Sequence, residues 1–210
     1  MNSFLVRVTA SAFICALLIL GLHAVSTGAV QHDAQHGNPA QRSEVRIPIG
    51  QFSLTDQSGR RFEMASIKGK IVLVDFAYTT CPDVCPLMTA ALRIVQTNLS
   101  ATEGRTVYLL TITTDPEIDT PKVLAAYAKR YHVDLTNWAF LTGDPSSLAE
   151  VWKRFGVRVV RRARGLVDHT PLTAVIDQSG DMRFAYHGAA PDPKIILRDI
   201  RSLAAKDSSN

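Results

Sequence analysis

Hydrophobic and polar positions divide the chain into three stretches. Val8 to Leu22 is apolar with no polar face, is preceded by Arg7 as the only charge in residues 1–30, and is followed by the small residues around Ser26 and Ala29. A basic start, a short apolar core and small residues read as an export segment. Its length at about 1.5 Å per residue gives roughly 22 Å of helix, short of the roughly 30 Å hydrocarbon core unless the helix continues to about Val30. A cleaved signal peptide, cut after Ser26 or Ala29, and a retained membrane anchor are both open. In either case Arg7 marks the cytoplasmic side, and the bulk of the chain is exported to the periplasmic face of the membrane. Gln31 to Ser43 is polar, contains Gly and Pro and has no apolar period, so residues 31–44 read as a flexible linker with His32 and His36 solvated in it. The folded domain is expected over 45–206.

Within that domain the periods alternate. Phe52 to Thr55, the turn Asp56 to Gly59 and Arg61 to Glu63 predict a small hairpin. Ile71 to Tyr78 is a near-continuous apolar run, as a strand shows when both faces are covered, and Val107 to Thr113 is a second. Leu87, Ala91, Leu92, Val95 and Leu99 recur at helical spacing, predicting a helix from Pro82 to about Asn98. Thr120-Pro121 supplies an N-cap and first-turn proline for a helix to about Tyr131. Further helices are expected over Ser146 to Phe155 and Pro193 to Ala205, flanking a hairpin of Thr173 to Ile176 and Arg183 to His187. Strands alternating with helices, closed by a hairpin and a helix, predict an α/β sandwich with a mixed central sheet, for which thioredoxin-like topology is the natural candidate.

Composition agrees with one globular domain: of 210 residues, 46% are hydrophobic and 20% charged. The formal charge is +4, and removing Arg7 with residues 1–30 leaves +3, too mild to announce nucleic-acid binding, which export also disfavours. The charge is local. Lys153, Arg154, Arg158, Arg161, Arg162 and Arg164 lie together with no acid before Asp168. They suit either a charged edge hairpin protected from aggregation or a patch that steers an acidic partner or anionic lipid.

Three cysteines exclude a multi-bridge disulfide framework. Cys15 is expected to pack as a small apolar residue within the export segment. Cys81 and Cys85, in Thr80-Cys-Pro-Asp-Val-Cys-Pro86, fall at the junction of a predicted buried strand and a predicted helix. On one face of a first helical turn, the macrodipole and free N–H groups favour thiolate, which serves both nucleophilic attack and metal binding. A dithiol redox centre, a thiolate chelate and a structural disulfide are all open, although so small a loop stabilises little. Three intervening residues rather than two leave more room for an ion. Of six histidines, His169, in Val167-Asp-His-Thr-Pro171 just before a predicted strand, is the one that thioredoxin-like topology carries toward the cysteines, with Pro171 as the cis-proline candidate. Two thiolates and an imidazole suit copper, as three-coordinate Cu(I) or as Cu(II) with an added oxygen. Zinc would want a fourth protein ligand. Asp168 is a candidate fourth donor or supporting partner, or simply a solvated loop carboxylate.

The blocks Cys81 to Pro86 (CPDVCP), Asp115 to Pro121 (DPEIDTP) and Val167 to Thr170 (VDHT), in that order, resemble the Sco family of copper chaperones, also called SenC, over roughly Ile47 to Leu203. The resemblance implies a membrane-tethered protein in which Cys81, Cys85 and His169 bind copper and which helps mature the copper A centre of cytochrome c oxidase. It leaves Asp115 without an assigned role, and Asp119 to Pro121 is accounted for as a helix start. Family members usually carry a longer excursion before the histidine block, whereas Phe155 to Val167 is compact and arginine-rich here. The expected function is copper delivery to the copper A subunit or another cuproprotein, after loading by an upstream copper donor. The alternative is a thiol-disulfide oxidoreductase that needs only Cys81 and Cys85. A peroxidase is a weaker third reading, since no arginine is clearly placed beside Cys81.

Overall fold

The computed structural model describes residues 40–162, 166–189 and 191–207. The export segment with Cys15 and His23, most of the linker with His32 and His36, and Arg164 lie outside the described residues.

An eight-stranded mixed sheet runs β1-β10-β9-β4-β5-β6-β2-β3. Its strands are β1 (Gln41–Pro48), β2 (Ser53–Asp56), β3 (Arg61–Glu63), β4 (Ile71–Ala77), β5 (Val107–Thr113), β6 (Trp138–Thr142), β9 (Leu172–Ile176) and β10 (Asp181–His187). β4, β5 and β6 are parallel, and β9 returns antiparallel against β4. The helices α1 (Val84–Thr97), α3 (Pro121–Arg130) and α5 (Pro193–Asp207) contribute to the core on one face, and α4 (Pro145–Arg154) to that on the other. α2 is the single turn Glu103–Thr106. This is the expected thioredoxin-like sandwich, and among the described residues no helix is long and apolar enough to cross a membrane.

The apolar run of β4 has the cause expected of it: Ile71 and Leu73 enter one core while Val72, Val74 and Phe76 enter the other. Leu87, however, is 55% exposed, and Met88 takes the inward position beside Cys85, Thr89, Ala91, Leu92 and Val95. The helix starts at Val84, two residues after Pro82, and Ala91, Leu92 and Val95 of the expected stripe do face the core.

Other elements were less legible. The sheet begins at Gln41, four residues before the expected domain boundary, because β1 pairs with β10 from Gln41↔His187 onward. A polar edge strand is formed by its partner's backbone rather than by its own hydrophobic pattern. β6 was not anticipated, although its five residues are all buried and end at Gly143. The arginine-rich stretch folds as a separate two-stranded hairpin, β7 (Val159–Arg161) with β8 (Val167–His169). His169 therefore sits in a strand opposite Val159 rather than in a turn. Pro171 is preceded by a trans peptide, contrary to the cis expectation, since cis bonds are absent among the described residues. Trans is the intrinsic preference of an X–Pro bond, and here the chain enters β9 directly from the hairpin, with Thr170 N–H donating to the Arg158 carbonyl at 3.0 Å.

Candidate metal centre

Cys81 lies at the end of the β4–α1 turn, outside the helix, and Cys85 occupies the first helical turn. The pair is thus split in environment rather than presented together from one helical face. Cys81 is half-buried, Cys85 is fully buried, and both are free thiols. The Cys85 N–H, one of the groups a helix start leaves without an internal partner, donates to Cys81 Sγ at 3.4 Å. The Cys85 thiol hydrogen-bonds the same sulfur and is the largest influence holding Cys81 down to about 5; burial opposes it, and the Asp83 and Cys85 N–H groups and the Tyr78 hydroxyl assist. Cys85 is pushed strongly up, first by giving that hydrogen bond and then by burial. At neutral pH the centre is one thiolate above one thiol. Cys81 should therefore alkylate with iodoacetamide at a rate that rises through about pH 5 and levels by about pH 7, while Cys85 in the native protein stays unmodified. Equal labelling of both in mass spectrometry would contradict this asymmetry.

His169 and Cys81 line one cleft of about 470 Å³, walled by Tyr78, Pro82, Val84, Val167 and Pro171. The His169 Nδ1 lies 3.2 Å from the Thr170 carbonyl oxygen. A carbonyl can only accept, so this contact places the proton on Nδ1 and leaves the Nε2 lone pair for a ligand. Burial lowers the imidazole's pKa, which keeps the ring neutral at physiological pH. Tyr78 stands between the donors: its ring meets His169 edge-on at 6.0 Å between centroids, and its hydroxyl serves Cys81. Burial first, and then the Cys81 charge, hold its phenol protonated, up to about 12.

The donor chemistry suits a soft ion, yet the three side chains are not gathered around a point. Among the described residues, no three His, Cys, Asp or Glu side chains stand close enough to hold an ion between them. Cys81 and His169 share the cleft, and Cys85 lies beneath its lining. Ligation by all three requires the hairpin and the cysteine turn to draw together. Asp168 also borders the cleft, but its side chain is exposed and paired with Arg162 at 2.6 Å, as a solvated carboxylate rather than a donor.

Three neighbours escaped the sequence reading. Asp119 does more than start a helix. It is fully buried, accepts from Thr79 N–H at 3.2 Å and from the Thr79 hydroxyl, and takes the Thr113 hydroxyl at 2.6 Å, tying the turn before Cys81 to the α3 loop. Thr120 still caps α3. Asp75 is fully buried in β4 and was visible as the one charge in an apolar run. Arg161 ion-pairs with Asp115 and, at 3.3 Å, with Glu117. The basic patch is therefore partly consumed internally, as Arg154 also donates to the Gln51 carbonyl at 2.6 Å.

The SCO1/SenC family model matches residues 40–205. A Bacillus subtilis SCO1 protein homolog is 29% identical over 172 residues, covering 80% of this chain and 89% of its own. Among solved structures, Arabidopsis thaliana ScoI with copper bound aligns with a TM-score of 0.67 at 25% identity, over 76% of this chain and 99% of that one. BsSco, described as a member of the Sco family of cytochrome c oxidase assembly proteins with a disulfide switch, aligns with a TM-score of 0.66 at 28% identity, over 79% and 98%. With the cysteine pair, the histidine hairpin and the sandwich all within the matched span, this chain belongs to the SCO1/SenC family.

Proposed function

We propose that the protein is an exported copper carrier that binds copper through Cys81, Cys85 and His169 and passes it by ligand exchange to the copper A subunit of cytochrome c oxidase or another cuproprotein. The observation that carries this reading is a thiolate and a neutral imidazole facing one cleft, with a second sulfur directly beneath the first. The copper-bound relative and the oxidase-assembly relative support the choice of cargo and recipient. Thiolates and imidazole favour Cu(I), and an added oxygen accommodates Cu(II). An upstream donor loads the site. The apolar segment behind Arg7 supports a domain held at the periplasmic face of the membrane, anchored or released by cleavage.

Anaerobic reconstitution tests the reading. One copper per chain is expected, with thiolate-to-copper charge transfer in the absorption spectrum and a Cu(II) EPR signal. His169→Ala should weaken Cu(II) retention on the order of 10–100-fold or more. Unchanged retention would sink the role of His169.

A second reading, thiol-disulfide reductase, is favoured by the asymmetry of the two sulfurs. The Cys81 thiolate attacks a partner disulfide and forms a mixed disulfide, releasing one partner thiolate. Cys85 then loses its proton and attacks Cys81, releasing the second, so two electrons pass from the dithiol to the partner. This chemistry does not use His169. Full activity of His169→Ala in oxidase maturation would favour the reductase over the carrier.

A further inference from the structure

Among the described residues, the strands of the hairpin that carries His169 pair only with each other, outside the eight-stranded sheet. Beyond the short covalent link through Thr170 and Pro171 into β9, the hairpin's position is set by side chains. Val159 faces His169 and Arg161 faces Val167 across the ladder, so strand alternation puts these four residues on one face. Val159 and Val167 pack against Ala77, Tyr78 and Cys85, an apolar contact that allows sliding. Arg161 is directional. One guanidinium nitrogen meets Asp115 Oδ1 and the other meets Glu117 Oε2 at 3.3 Å. The Asp115 side chain is fully buried, and its Oδ2 has no hydrogen-bond partner among the described residues. Arg161 is the cation paired with this buried carboxylate, and a buried charge holds its counter-ion firmly.

The anchor reaches the cysteine turn. Asp115 N–H donates to Thr113 Oγ1 at 2.9 Å, that hydroxyl donates to Asp119 Oδ2 at 2.6 Å, and Asp119 accepts from Thr79. One hydrogen-bonded chain thus runs from two residues before Cys81 to the strand paired with that of His169.

We propose that Arg161 is a positioning residue that latches the His169 hairpin to the loop before α3 through Asp115 and Glu117, and so fixes the reach of His169 toward Cys81. The inference rests on the copper reading for its functional consequence, while the latch itself is measurable in the metal-free protein. The short basic segment before His169 then has a specific use: its charge ties the hairpin down.

The test uses the full chain. Arg161→Gln alone strands a buried carboxylate and risks unfolding, so it is combined with Asp115→Asn; Arg161→Lys and His169→Ala are prepared alongside. In the double variant, amide exchange in β4 and β5 should match the parent, while the Arg162 and Thr170 amides that close the hairpin exchange on the order of tenfold faster or more. The imidazole nitrogen coupling in the Cu(II) EPR spectrum should weaken or vanish, as in His169→Ala. Arg161→Lys, with one point charge for two carboxylates, should fall between. Unaltered hairpin exchange in the folded double variant overturns the latch. Parent-like nitrogen coupling there, with the coupling lost in His169→Ala, overturns the positioning role. If His169→Ala itself keeps the coupling, the copper assignment of His169 fails instead, and the exchange rates alone decide the latch.

Discussion

Replacing either cysteine should abolish tight copper binding, with a loss larger than the roughly 10–100-fold that removal of an outer partner costs a metal site. Cys81→Ser removes the resident thiolate. Cys85→Ser leaves one sulfur and one imidazole, two donors that cannot complete a three-coordinate Cu(I) site. The two variants differ in what they do to the remaining thiol. Cys85 is the largest influence lowering Cys81, so Cys85→Ala should move the Cys81 alkylation midpoint from about 5 up toward an ordinary thiol. Cys81→Ala relieves Cys85 of the hydrogen bond that pushes it up, yet its burial remains and it should stay slow to react. Oxidation to a Cys81–Cys85 disulfide should mimic the double loss, because neither sulfur is then a thiolate. Competition against a Cu(I) chelator reads all of these. Copper retained by the oxidised protein, or at parent affinity by either single variant, would refute a chelate built on the pair.

How much of this centre could be read from the chain depends on which forces place each residue. Cys81 and Cys85 were legible because a buried strand running into a helix is written in local periodicity, and the reactive turn follows from that junction. His169 was legible only through topology. Its strand, β8, has three residues and is stabilised by a partner strand and by Arg161, neither of which leaves a hydrophobic period. The same holds for β1, which is mostly exposed and exists because β10 offers an edge. For Asp168 the sequence left a donor and a solvated carboxylate both open, and only the strand pairing and the contact with Arg162 decide for the solvated one. Asp115 and Asp119 form a further class. Asp119 is tied to Thr79 and Asp115 to Arg161, contacts distant along the chain, and a helix-start motif hides them.

Asp75→Asn should stabilise the protein at pH 8 by about 2–4 kcal/mol and leave it nearly unchanged near pH 4. Asp75 lies in the centre of β4, between Thr111 of β5 and Thr173 of β9. Thr111 donates to its Oδ1 at 2.6 Å, while Oδ2 is buried without a partner among the described residues, as is the Thr173 hydroxyl. Burial is the largest influence and raises the carboxyl from 3.8 to about 7, against the smaller pull of the Thr111 hydrogen bond. Between those values the unfolded chain has released the proton and the native one keeps it, so native stability falls as pH rises through this window. Below it the contribution is complete; above it both states are ionised and the cost stays constant. Each pH unit of the window is about 1.4 kcal/mol, and relaxation around the charge trims the total. Cys85 and Tyr127 feel the Asp75 charge, and both are themselves held neutral, so neither compensates it. Asparagine keeps an acceptor for Thr111 and removes the ionisation. Urea unfolding of parent and variant across pH 4 to 9 isolates the group, since every other titration is shared. A stability difference that stays flat with pH would mean that the native carboxyl titrates as the unfolded one does, and that the burial of Asp75 is compensated by a partner.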